Sequence, residues 1–463
     1  MADVEDPDGF AANSQSFLAW LQQQGTSISP RIEIADLRSQ GAGRGILAKD
    51  DIPDDEVLFS IPRSSILTIE TSTLPAEIKA KTDDPWLGLI LAMAYECRQG
   101  SQSKWRSYCD VLPETFDTLM FWSADELKSL EGSAVLGKIG MATADTAFTE
   151  QLLPVMKQHA TIFMTSDFSD AELLALCHRM GSVIMAYAFD LERPSPDPAH
   201  DQEDGWEEDQ EDSGSGAKGM IPLAEMLNAD ADRNNAKLFY EDDKVVMKSI
   251  QPIKAGEEIF NDYGPLPTVD VLRRYGYVTS NYAKYDVVET SLQAIRDTAA
   301  EHLRLGNDIL DQRLHYLDEQ GALDDAYDVA RPGNEDVEQF PEELGMLLKV
   351  VTSPQADFDT LEKKGKLPKP TLNLAAAELL KKVLQKRRRL YPTSQESHDD
   401  MDTTGTNQHS RSARRKAMAR QVIDGEQQVL AQALASLQAL TGSTGEKRKA
   451  EMDLAQPSKK SKG

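Results

Sequence analysis

Apolar positions recur along the chain in two rhythms, and the places where the rhythm changes divide it. Residues 13–24, NSQSFLAWLQQQ, have the spacing of a short amphipathic helix capped by Asn13 or Ser14, within an N-terminal segment of 1–30. Residues 31–70 read as short strands, with Gly45-Ile46-Leu47-Ala48 and Val57-Leu58-Phe59-Ser60-Ile61 separated by a turn rich in Asp and broken by Pro53. Residues 75–190 turn helical, as Leu87-Gly88-Leu89-Ile90-Leu91-Ala92-Met93 and Leu173-Leu174-Ala175-Leu176 repeat at helical spacing. Strand alternation returns over 219–278, where Lys237-Leu238-Phe239-Tyr240 and Val245-Val246-Met247 flank a turn at 241–244. From 290 to 440 the pattern is helical again, apart from a polar, flexible interruption at 391–410. The expectation is an α+β chain. A β-rich domain over 31–280 is split by a helical insertion at about 75–190, and a helical C-terminal domain follows over 281–440.

Two segments fall outside any packed core. DPAHDQEDGWEEDQEDSGSG, 197–216, is acidic and nearly free of aliphatic residues, which predicts a disordered loop. The last residues, 441–463, read as a disordered basic tail. It carries Lys447-Arg448-Lys449 and Lys459-Lys460-Ser461-Lys462, spaced like a two-part nuclear address. The bland reading of both is solvated chain. The same holds for Lys386-Arg387-Arg388-Arg389, which reads first as a helix end.

Composition narrows the partners. The 463 residues are 40% hydrophobic and 27% charged, so most of the chain can bury a core. With 50 Lys and Arg against 77 Asp and Glu the net charge is −27. Such a surface is unsuited to direct nucleic-acid binding and suited to a basic protein partner. The three cysteines, Cys97, Cys109 and Cys177, form no close-spaced pair, which predicts no zinc site and no disulfide framework, hence a reducing compartment. Cys97 and Cys177 read as buried thiols. The N-terminus has no signal-peptide core, and the longest apolar run, Leu87 to Tyr95, is too short to span a bilayer.

The glycines at 41, 43 and 45 suggest a dinucleotide loop, but no apolar strand precedes them and no helix follows. They sit instead in a β-hairpin region. The other dense motifs are MIPLAEMLNAD (220–230), AGEEIFNDYG (255–264) and LRRYGY (272–277). Two Tyr-Gly pairs lie close together there: Tyr offers an apolar wall with one hydroxyl, and Gly lets backbone approach a ligand. Two β segments so far apart in sequence are expected to join in one sheet system, with the site where they meet.

Gly43-Arg44-Gly45, then Asn228 in its Met-Leu-Asn context, then Gly256-Glu257-Glu258-Ile259 leading to Asn261-Asp262-Tyr263-Gly264, resembles the SET-domain protein methyltransferases. The helical insertion and helical C-terminal region are similar to the Rubisco large-subunit methyltransferase branch. Trp105-Arg106-Ser107-Tyr108, Leu112-Pro113, Phe121-Trp122 and Met185-Ala186-Tyr187-Ala188-Phe189 are similar to fungal ribosomal-lysine methyltransferases and their animal nuclear relatives. The resemblance covers roughly residues 15–440. It implies an S-adenosylmethionine-dependent protein-lysine N-methyltransferase, without metal, whose substrate is a basic protein, a ribosomal protein of the large subunit, and whose location is the nucleus and the cytoplasm.

The chemistry sets the residue types. Free lysine has a pKa of about 10.4, so exposing its lone pair near neutral pH costs about 4 kcal/mol. A desolvated aromatic channel beside a sulfonium lowers that cost, and in-line positioning supplies much of the rate. The resemblance implies Gly43, Arg44, Gly45, Tyr187, Asn228, Ala229 and Tyr275 for the cofactor, Tyr263 for catalysis, and Trp86, Ala188 and Phe189 for the substrate-lysine wall. One departure stands out: the wider family has His where this chain has Ala229, a change that keeps a backbone contact and removes a side-chain one. By the residues alone, a tight turn at 43–45, core tyrosines, a turn-capping Asn228 and a helix-packing Trp86 remain open. So do a catalytically inactive binding module for basic proteins and a protein-histidine methyltransferase.

Overall fold

The computed structural model describes residues 9–40, 42–191, 217–333, 337–392 and 407–454. Gly41, the acidic loop at 197–216, most of the interruption at 391–410 and the last nine residues lie outside them. The chain divides into two compact units: Met1–Phe121, Gly140–Gly264 and Arg274–Gly276 form the first, and Trp122–Ile139, Pro265–Arg273 and Tyr277–Gly463 the second. A stretch from inside the helical insertion thus belongs to the second unit.

In the first unit, the opening helix spans Phe10–Gln23 and buries Phe17, Trp20 and Leu21, the i, i+3, i+4 stripe of its apolar face. It starts three residues earlier than the sequence suggests, from Gly9 at φ 70°, and neither Asn13 nor Ser14 caps it. Ser14 donates back to the Phe10 carbonyl within the helix instead (2.8 Å). Nine strands follow: β1 (Ser27–Ile28), β2 (Ile32–Asp36), β3 (Arg44–Ala48), β4 (Val57–Pro62), β5 (Ala188–Leu191), β6 (Ala217–Met220), β7 (Ala236–Tyr240), β8 (Lys244–Ser249) and β9 (Glu258–Ile259).

They build three small sheets ordered β1-β4-β8-β7, β2-β3-β9 and β5-β6. Every pairing is antiparallel. The early and late β segments therefore do interleave, β4 with β8 and β3 with β9. They do so in separate sheets rather than one. Hairpin β7–β8 turns at 241–243, as the alternation of Leu238, Tyr240, Val245 and Met247 predicts.

The inserted helices Pro85–Arg98 and Asp170–Tyr187 begin where their sequences dictate. Asp84 accepts from the amides of Trp86 and Leu87 ahead of Pro85, and Ser169 with Glu172 forms a capping box. Leu87 and the run Leu89–Ala94 are all but fully buried, so this helix is apolar on every side and lies in the core.

Two further expectations change. Residues 265–278, read as part of a strand segment, hold the helix Thr268–Tyr275. Pro267 opens it, its carbonyl taking the amides of Asp270 and Val271, and Gly276 at φ 77° closes it. Cys97 and Cys109 form a disulfide with Cα atoms 5.4 Å apart, while Cys177 is a free, buried thiol. Spacing in sequence concealed the pair, because the turn at Gly100–Gln102 folds the short helix Arg106–Cys109 back against the end of Pro85–Arg98.

The second unit is mainly helical, with one antiparallel pair, β10 (Val287–Ser291) and β11 (Ala326–Ala330). Its helices are Leu292–Leu303, Asn307–Glu319, Glu342–Thr352, Gln355–Lys364, Leu374–Arg388 and Asn407–Leu454. The last of these carries helical backbone through 441–454, where the sequence suggested disorder; the Glu, Lys, Arg and Ala of that stretch are good helix formers. The 122–139 stretch is pinned here by buried polar contacts. Arg415 pairs with Glu126 (2.9 Å), and Glu426 accepts from Ser133 and Tyr391 (2.6 Å each). Among the described residues no helix is long and apolar enough to cross a membrane.

Candidate active site

Every candidate site residue named from the sequence lies in the first unit, and the β2–β3 hairpin carries the first three. Gly43 accepts from the Leu37 amide at the hairpin end, and nothing lies within 4 Å of where its Cβ would be. Gly45 is different. A Cβ there would sit 2.4 Å from Leu37 Cδ1, 2.9 Å from Glu258 Oε1 and 3.2 Å from Asn228 Nδ2. Only glycine lets those three side chains close over the strand. The Arg44 side chain turns away to a structural task. It donates to Ser14 Oγ and the Val111 carbonyl (3.0 Å each) and lies 4.1 Å from the Phe10 ring centre.

Asn228 is the hub. Its amide donates to Glu258 Oε1 at 2.7 Å, and its carbonyl accepts from the Asn261 amide at 2.8 Å. Ala229, 6% exposed, makes a parallel bridge with Asn261, and Asp230 donates its amide to the Asn261 carbonyl. Asn235 seals the crossing from the other side, donating to the Glu258 carbonyl (3.0 Å) and accepting from the Phe260 amide (2.8 Å). Two segments some thirty residues apart are thus laced together by backbone, and a side chain at 229 is not needed for it. Burial pushes the Glu258 carboxyl up, opposed by the hydrogen bond from Asn228. Glu258 was missed from the sequence; its signal is the alternation in Glu257-Glu258-Ile259, which leaves one carboxylate facing inward.

Just beyond this crossing, Tyr263 and Tyr275 stack with ring centres 4.0 Å apart and planes 7° from parallel. The following glycines make the stack possible. Gly264 adopts φ 78°, and Gly276 adopts φ 77° with the Thr118 amide 2.7 Å from where a Cβ would sit.

Tyr187 closes the helix Asp170–Tyr187, and Ala188 and Phe189 begin β5, facing Met220 and Gly219 of β6. Strand β6 runs directly into Ile221-Pro222-Leu223 and the turn Ala224–Met226, with Leu227 alone between that turn and Asn228. Trp86, in the first turn of Pro85–Arg98, stacks on Phe148 (5.5 Å) and packs over Gly181.

The turn before Asn228 carries three further costs. Leu223 is held at φ 79°, a strained value for a branched side chain. Glu225 presents a carboxyl whose two oxygens each expose under 1 Å² and have no hydrogen-bond partner. The Tyr108 hydroxyl, on a side chain 0% exposed, faces the Glu225 carboxyl without closing to a normal hydrogen-bond distance. Burial raises the Glu225 carboxyl to about 8 and the Tyr187 hydroxyl to about 12, the latter helped by the Glu225 charge. The sequence signal is a single carboxylate inside the apolar run Met220 to Leu227.

Residues 43–264 match the SET domain model, from the hairpin glycines to the glycine after Tyr263. Residues 306–430 match the Rubisco LSMT substrate-binding model. The chain thus carries a SET domain followed by a Rubisco LSMT substrate-binding domain. The protein named ribosomal lysine N-methyltransferase 4 of Saccharomyces cerevisiae is 33% identical over 67% of this SET protein, a span covering 64% of the yeast chain's length. N-lysine methyltransferase SETD6 of Mus musculus is 28% identical over 78% of this chain and 74% of its own. Among solved structures, the SET domain of LSMT bound to lysine and AdoHcy superposes with a TM-score of 0.66 at 18% identity, covering 97% of both chains. That likeness establishes the fold.

Proposed function

We propose that this SET protein is an S-adenosylmethionine-dependent protein-lysine N-methyltransferase acting on a basic protein, a large-subunit ribosomal protein, in the nucleus and cytoplasm. The observation that carries the reading is the convergence of Gly45, Asn228 and Glu258 from three segments of the chain, with the Tyr263–Tyr275 stack next in sequence. The kinship with the yeast protein named for ribosomal lysine supports the substrate class, and the net charge of −27 favours a basic partner.

The residues suit the group. A buried carboxyl at Glu225 fits a cationic ligand, and the laced 228–235 and 258–261 backbones offer fixed peptide groups. When bound, S-adenosylmethionine supplies a methyl group on a positively charged sulfur. The protein's own tasks are then three. The Gly45–Asn228–Glu258 cluster holds a fixed floor. Ala188 and Phe189 give the acceptor lysine an apolar wall that disfavours its ammonium form, with Tyr187 before them on the cofactor side. Tyr263 accepts a hydrogen bond from the amine N–H, directing the nitrogen lone pair along the line of transfer. Trp86, expected from the resemblance in the same wall, is held in place by its stack on Phe148.

Salt-washed ribosomes and a nuclear extract, incubated with the protein and methyl-labelled cofactor, test the reading. A labelled large-subunit band carrying methyl-lysine by mass spectrometry is expected. Cofactor binding with no label in either sample would favour the inactive binding module, and methyl-histidine the histidine branch. A fluorescent fusion lacking 441–463 is expected to lose nuclear enrichment.

A further inference from the structure

Charge is unevenly spread along the chain, and the tasks above leave its strongest local excess unused. Residues 361–392, in the second unit, hold ten Lys and Arg against two acids, Glu362 and Glu378, in a chain whose net charge is −27. Four of these cations, Lys381, Lys382, Arg388 and Arg389, repeat at heptad spacing along Leu374–Arg388 and its last cap, so they share one stripe about 12 Å long. The opposite side of that helix is buried through Ala376, Leu380, Val383 and Leu384, which turns the stripe outward. Lys382, Arg388 and Arg389 are exposed, and Lys381 is half-buried. Four more, Lys363, Lys364, Lys366 and Lys369, are exposed on the segment leading into the helix. Helix Glu342–Thr352 supports both groups. Its Lys349 donates to the Lys369 carbonyl (2.7 Å), its Gly345 leaves room for the Pro370 carbonyl, and it packs against Leu374–Arg388.

Among the described residues none of these eight cations forms an ion pair, although the chain carries 77 acids. Their neighbours are used differently: Lys386 pairs with Glu301, and Arg387 is buried on the Gly132 and Glu289 carbonyls. The bland reading is a solvated face with cations at helix C-termini. It accounts for Lys363, Lys364 and Arg388, which lie in last turns. It does not account for Lys366, Lys369, Lys381 and Lys382, nor for the missing acids, since solvated faces intersperse both signs. Acids elsewhere do not cancel the face, because in physiological salt a charge is felt over only about 8 Å. The one aromatic residue of 361–392, Tyr391, is buried, so the face offers charge and no platform for stacking bases. The apolar side of the helix lies in the core, so none is left to enter a lipid surface. A row of free cations without acids or aromatic rings matches a phosphate backbone.

We propose that the outward face of Leu374–Arg388, with the lysines at 363–369, docks this protein on RNA backbone phosphates, those surrounding the target lysine in the ribosome. The inference rests on the reading of a ribosomal substrate. The mean charge of the chain argues against a nucleic-acid binder, and this face is the local exception. Contact is with phosphates, so it is independent of base sequence.

Fluorescence anisotropy of the full-length protein with a fluorescent oligouridylate and a fluorescent RNA duplex reads the contact without methyl transfer. Wild type is expected to bind both, with affinity falling steeply as salt rises. The variant carrying Lys381→Gln, Lys382→Gln, Arg388→Gln and Arg389→Gln should lower the slope of log affinity against log salt by up to about 3 on the oligouridylate, four contacts at about 0.7 each. A second variant, carrying Lys363→Gln, Lys364→Gln, Lys366→Gln and Lys369→Gln, leaves that helix unchanged and should lower the slope as well. Both should keep the wild-type thermal midpoint. In the labelling assay the first variant should lose several-fold on salt-washed ribosomes and match wild type on large-subunit proteins freed of RNA. Unchanged RNA affinity and salt slope in both variants overturn the inference and leave the enzyme reading standing. So does a wild type that binds no RNA while the variants lose labelling of ribosomes, since the face then docks on protein. RNA binding that follows the expected pattern, with no label in any sample, leaves the RNA contact standing and overturns the enzyme reading.

Discussion

Gly45 and Asn228 matter through what they exclude and what they tie. A methyl at 45 would press on Leu37, Glu258 and Asn228 at once, and overpacking of this kind costs about 1–3 kcal/mol. Gly45→Ala is expected to lower the thermal midpoint and weaken cofactor binding in calorimetry, whereas Gly43→Ala, with open space around it, should leave both near wild type. Equal effects at the two positions would refute the distinction. This contrast was invisible in the sequence, where Gly43 and Gly45 look alike. Their difference depends on Glu258 and Asn228, brought over from nearly two hundred residues away. The task of the Arg44 side chain was hidden for the same reason: it serves the opening helix, a partner that no local pattern names.

At the scale of elements, local rules decided where helices begin. Asp84 before Pro85 and the Ser169–Glu172 box are legible because capping depends on residues two or three apart. Alternation likewise gave the β7–β8 hairpin. What stayed hidden was pairing between distant strands, the disulfide that a turn creates, and the helix Thr268–Tyr275, whose eight residues contain the β-branched Thr268, Val269 and Val271. Also hidden was the tie between 122–139 and the last helix. Arg415 and Glu126 are 8% and 9% exposed as side chains, so removing one charge strands the other. Arg415→Ala is expected to cost about 3–5 kcal/mol in denaturant unfolding. A loss under about 1 kcal/mol, the range of an exposed pair, would show that the contact is solvated.

For the whole molecule, the SET fold and the helical second domain were legible as a split β pattern around a helical insertion, because their order survives even where single motifs are weak. Charge acts at this scale as well. A chain at −27 attracts a basic substrate over a Debye length of about 8 Å in physiological salt. Raising salt from 50 to 300 mM is expected to raise KM for the protein substrate several-fold with kcat little changed. A salt-independent KM would place recognition in apolar contacts.

The central claim is methyl transfer directed by Tyr263. The most direct test compares wild type with Tyr263→Phe in one labelled assay on salt-washed ribosomes, with cofactor binding measured on both proteins. The account predicts intact cofactor binding by the variant, since the ring still stacks on Tyr275, and loss of labelling by about a hundredfold or more, the weight of a misaligned attacking nitrogen. Undiminished labelling by the variant would contradict it.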